Sequence, residues 1–130
     1  MILYICILVS LVCLDAVWLS LMAQRLYKPL IGHLMADTFS FASAALFYPL
    51  YAFGLMVFVL RPALQQQDSL YRVFLSAALF GMIAYAAYDL TNQATLKSWP
   101  WTMTIIDMAW GAMMTGLTCV IAITLVRWLR

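Results

Sequence analysis

Four apolar stretches dominate the chain, and short polar segments separate them. They run from about Ile2 to Met22, Phe39 to Leu60, Leu70 to Leu90 and Thr102 to Val126. Each is long enough for a helix to cross the hydrocarbon core, which takes roughly 20 mostly apolar residues. The pattern predicts an all-α integral membrane bundle of four transmembrane helices, a single domain over residues 1–130 with no soluble part. The first stretch lacks the basic start of a signal peptide and is longer than a typical leader core. It also carries Asp15 and Trp18, so it is read as a membrane helix.

The connectors carry their own signals. Between spans 1 and 2, Pro29 suits a first helical position, and Leu30, Ile31, Leu34 and Met35 fall on one face. A short interfacial helix is expected there. Pro49 lies inside span 2, where it should kink the helix and free a carbonyl near Ala45. Arg61-Pro62 ends that span, and Asp68 or Ser69 can cap the next. Trp99 and Trp101 flank Pro100, and tryptophan favours the membrane–water boundary. Small residues at four-residue spacing, Ala77 and Gly81, Gly111 and Thr115, Ala112 and Gly116, permit close approach of spans 3 and 4.

Composition agrees with a lipid-covered chain. Of its 130 residues, 67% are hydrophobic and 9% charged, against about 25% charged in soluble domains. A net charge of +2 with no basic run argues against nucleic-acid binding. Cys6, Cys13 and Cys119 sit in apolar stretches without a Cys-x-x-Cys motif, and His33 is the sole histidine, better read as a solvated or capping residue. No metal site and no cofactor is expected. The nine methionines read as packing.

The five acids are all Asp. With the termini on membrane side A, the 1–2 and 3–4 loops lie on side B. Asp15 then sits roughly 10 Å below side B and Asp107 roughly 7 Å below it, while Asp89 closes span 3 at the same side. Asp15-x-x-Trp18 and Asp107-x-x-Trp110 repeat one pattern, with acid and indole on a shared helix face. Tyr85 lies one turn before Asp89. Asn92 and Lys97 add hydrogen-bonding groups at that mouth, with Thr91, Gln93, Thr95, Arg25 and Lys28. Arg61, Asp68, Arg72, Arg127 and Arg130 on side A read as end anchors.

An Asp at a helix centre costs about 2.5–3.5 kcal/mol on insertion scales, so intramembrane acids face the interior and find partners. For one Asp, a hydrogen bond to Trp110 or a tyrosine hydroxyl that pins the bundle explains as much as a function does. Three acids beside Lys97 favour a binding or proton-handling site, made of Asp15, Trp18, Tyr85, Asp89, Asn92, Lys97, Asp107 and Trp110.

The segment from Tyr88-Asp89-Leu90-Thr91-Asn92 to Trp99-Pro100, followed by Asp107-Met108-Ala109-Trp110-Gly111, resembles the signature of a bacterial family of predicted membrane proteins. That family is known as domain of unknown function number twenty-one seventy-seven. The early Asp15-x-x-Trp18 fits the same pattern, and the resemblance covers nearly the whole chain. It implies a small four-span, multi-pass protein of the bacterial cytoplasmic (inner) membrane, and it implies no activity, cofactor or catalytic residue.

Three functions compete. The first is a protein that binds or transports a small polar molecule or lipid head group at the side-B pocket. Lys97 would be the counter-charge, and Trp18, Trp99 and Trp110 the walls. Small multidrug exporters are similar in having four short spans and a carboxylate in the first, here Asp15, but no further motif matches. The second is a membrane enzyme using two carboxylates as acid and base on a lipid. Tyr88-Asp89 is similar to half of an intramembrane aspartyl protease motif, but the partner Gly-x-Gly-Asp is missing. No Ser-His or Cys-His pair and no phosphate loop supports other enzymes. The third is an accessory subunit docking through the small-residue faces. Lys and Arg number four on side A and three on side B, which barely favours side A as cytoplasmic. Such a near-tie permits dual insertion and an antiparallel homodimer. The binding or transport reading accounts for most of the polar residues.

Overall fold

The computed structural model describes residues 1–130 and is all helical. Helix α1 (Ile2–Met22) passes without a break into a π-helical turn (Ala23–Tyr27), the short α2 (Lys28–Ile31) and a 3-10 turn (Gly32–Leu34). The helix expected after span 1 is thus a direct continuation of that span. An extended segment then leads to α3 (Phe41–Leu55), whose N-terminus is capped by Ser40 Oγ accepting from Ser43 N at 3.4 Å. A second π turn (Met56–Leu60) joins α3 to α4 (Arg61–Gln65). Pro49 is accommodated inside α3, and its own carbonyl accepts the Tyr4 hydroxyl at 3.1 Å.

Chain reversal on side A is tight. Gln67 takes the left-handed conformation (φ 54°), and Asp68 N donates back to Ala63 O at 2.9 Å, a closure of the type that ends many helices. Ser69 then caps α5 (Leu70–Thr95), accepting from Arg72 N at 3.3 Å. Arg72 pairs with Asp68 at 3.2 Å, and Arg127 donates to the Asp68 carbonyl at 2.7 Å. These bonds tie the 2–3 loop to the end of α6 (Trp101–Leu129).

Four helical stretches, 2–34, 41–65, 70–95 and 101–129, are long and apolar enough to cross a membrane. Helix α6 is the axis of the bundle: it buries more residues than any other helix, packs along α5 most extensively and also against α1. Packing there rests on small residues. A methyl group added at Gly81 would overlap the Gly111 carbonyl oxygen and the Thr115 side chain, and one at Gly116 would strike the Phe74 ring. The apolar core fills the side-A half, where Ile7 and Leu11, Leu55 and Leu60, Val73 and Ala77, and Met114 and Ile123 meet. Outward residues such as Leu46, Phe53, Ile83 and Ile105 are exposed. Lipid is the solvent that matches them.

Candidate functional site

The side-B half of the bundle is polar inside. Asp15 on α1, Asp89 on α5 and Asp107 on α6 are all buried. Asp15 accepts from two aromatic donors, the Tyr48 hydroxyl and Trp110 Nε1 (3.3 Å to Oδ1). Trp110 stacks on Trp18, with ring centroids 4.3 Å apart and planes 6° from parallel. Trp18 Nε1 donates to the Tyr27 hydroxyl at 2.9 Å, and that hydroxyl donates to Asp107 Oδ1 at 2.8 Å. The two Asp-x-x-Trp patterns therefore interlock: each indole turns toward the other helix, and Asp15 connects to Asp107 through Trp110, Trp18 and Tyr27.

Asp89 differs. It is fully buried, and neither carboxyl oxygen has a hydrogen-bond partner. It adjoins Asp107. Two carboxylates offer each other only acceptors, so the pair is complete only when a proton or another donor is added. No cation of the protein supplies one. Lys97 is exposed on the 3–4 turn, and the chain's one ion pair is Arg72–Asp68 on the opposite side. Asn92 is half-buried on the last turns of α5. No group of three His, Cys or acidic side chains is arranged to hold a metal ion.

A cavity of about 390 Å³ reaches Asp107 from outside the bundle. Phe47 and Tyr51 of α3 form one wall, Ala84, Tyr85 and Tyr88 of α5 the other, and Asp107 is its single charged residue. Tyr85 fits because Gly111 lies beneath its ring, in space a Cβ would fill. The tryptophans stand apart from this wall. Trp18 and Trp110 flank a separate surface depression. Trp99 turns inward, donating to Thr104 Oγ1 at 3.1 Å, while Thr104 donates to Gln93 Oε1 at 2.9 Å and Gln93 Nε2 to the Trp99 carbonyl at 2.7 Å. That closed triangle fixes the 3–4 turn above the acids. Trp101 points outward and is exposed.

The family model of DUF2177, described as a predicted membrane protein, matches residues 1–124. The chain belongs to that family. No curated protein and no solved structure matches it. Family and fold agree: this DUF2177 member is a membrane protein with four apolar helices.

A buried Asp is expected to bond Trp110 or a tyrosine hydroxyl, and in this DUF2177 member Asp15 accepts from both; the sequence does not single out Tyr48, Tyr27 or Thr104 as the donors. Trp18 and Tyr27 are nine residues apart, half a turn out of phase on an ideal helix. The π turn at Ala23–Tyr27 changes that phase, and such bulges recur at functional sites. Composition carries no signal for it. One consequence is testable. Tyr27→Phe strips a partner from both Trp18 and Asp107, and should lower stability by about 1 kcal/mol. An unchanged unfolding midpoint in detergent would show that the Trp18–Tyr27–Asp107 chain does not hold the bundle.

Proposed function

We propose that the protein binds or transports a small polar molecule or lipid head group at the Asp89–Asp107 pair, in a bacterial cytoplasmic membrane. One observation carries the reading. The cavity ends on a single acid, and behind that acid stands a second one whose two oxygens have no partner. Bundle glue alone accounts poorly for this arrangement. Asp15 is what structural glue looks like, with two donors on one carboxylate. Asp89 has no donor from the chain and only the Asp107 carboxyl beside it. It therefore bears a desolvation cost of burial that a proton shared with Asp107, or a ligand charge held at Asp107, would relieve.

Native mass spectrometry of the purified protein beside Asp107→Asn tests this. The wild type should release a specific small molecule or lipid that the variant lacks, because the substitution removes the charge facing the cavity. If both release only bulk lipid, the pocket reading fails and the acids belong to bundle packing. The same spectra report whether the protein is a homodimer.

A further inference from the structure

The cavity at Asp107 is one end of a longer groove. Phe47, Tyr51 and Ala84 line both it and a second apolar hollow of about 320 Å³ that continues along Gly54, Phe58 and Phe80. Helix α5 meets the second span chiefly at the π turn Met56–Leu60 and stands clear of α3 toward side B. The opening between them is therefore lateral and faces the lipid. From Phe47 to Phe58 it follows about 16 Å of helix, from the acids toward the middle of the membrane. Its floor is aromatic, with Tyr51 and Phe80 at 5.9 Å and Phe58 and Phe80 at 6.4 Å between centroids.

We infer that the occupant is a cationic amphiphile, an ammonium head on one apolar tail, which enters sideways from the side-B leaflet between α3 and α5. This rests on the binding reading above and names its ligand class. Orientation supports it: an amphiphile in that leaflet already holds its head at side B and its tail toward the midplane, as the groove does. Charge supports it as well. Asp107 is the sole charge on the wall, Asp89 stands unpartnered behind it, and no Lys or Arg pairs with either. An ammonium brings the missing positive charge to the pair and a donor to Asp107, the acid that lines the cavity. The rest of the groove offers almost no polar surface, which suits a tail and excludes a fully hydrated solute.

Equilibrium binding of radiolabelled dodecylamine to the full chain in nanodiscs tests the inference, with protein-free nanodiscs subtracted. Saturable binding is expected. Asp107→Asn should weaken it about tenfold or more, the scale of a lost charge-assisted hydrogen bond. Ala84→Phe should weaken it comparably by filling the groove while leaving both acids unsubstituted. Gly54→Leu fills the groove lower down, where the nearest atom to an added Cβ is the Phe80 ring at 3.6 Å, and serves if Ala84→Phe fails to fold. Methylamine should not compete, and the uncharged dodecanol should compete poorly. Several results overturn the inference and leave the parent reading standing: no saturable dodecylamine binding while native spectra still show a molecule lost in Asp107→Asn, full binding in both groove variants, or equal competition by methylamine. Absence of any retained molecule and of dodecylamine binding removes both.

Discussion

Gly81→Leu should cost about 3 kcal/mol of stability, at the upper end of the penalty for overfilling a packed interior. The position lets α5 and α6 touch backbone to side chain, and a Cβ there would overlap the Gly111 carbonyl and Thr115, neither of which is the free end of a flexible side chain. The helices would have to separate. Separation would also loosen the hydrogen bond between Tyr51 and Thr115, 2.9 Å apart and buried. Gly54→Leu is the matched control, since a Cβ added there meets only ordinary contact with the Phe80 ring. Unfolding in mixed micelles with increasing dodecyl sulfate measures both. Equal midpoints for the two variants would show that the α5–α6 contact is not what holds the bundle.

That contact was legible in the sequence, because small residues four apart leave a mark that survives without an alignment. The four spans were legible for the same kind of reason: lipid demands long apolar runs, and the chain has four. The meeting of Asp15, Asp89 and Asp107 at one end followed from helix length and the alternation of direction.

Helix rotation did not follow. Spans in lipid are apolar on nearly every side, so hydrophobic periodicity does not say which residues turn inward. The donor type, Trp110 or a tyrosine hydroxyl, was legible, while the particular tyrosines, Tyr48 and Tyr27, were therefore not. Lys97 shows the converse error of proximity in sequence. It lies eight residues after Asp89, yet the last turns of α5 carry it outward to an exposed turn. Charge counting placed a counter-ion at the acids, whereas the folded chain leaves them without one. The groove between α3 and α5 is also absent from the sequence, because it is made by a gap between helices.

Asp15 and Asp107 then separate two roles that share one chemistry. Asp15→Ala should destabilise the bundle by about 2 kcal/mol. It leaves the Tyr48 hydroxyl and the Trp110 indole without an acceptor, and hydrogen bonds between membrane helices average about 0.6 kcal/mol with maxima near 1.7. Tyr48→Phe removes one of those two bonds and should cost about 1 kcal/mol. The double variant should lose less than the sum, because Tyr48 has nothing to donate to once Asp15 is gone. Asp15→Asn should recover part of the loss: its carbonyl can still accept one donor, but its amide brings two protons that need acceptors of their own. Unfolding midpoints of the wild type, Asp15→Ala, Tyr48→Phe and the double variant in one detergent give the coupling directly. Strict additivity would mean that Tyr48 and Asp15 do not bond in the folded protein. Trp110 would then be the sole donor to Asp15, and the contrast with the unpartnered Asp89 would weaken.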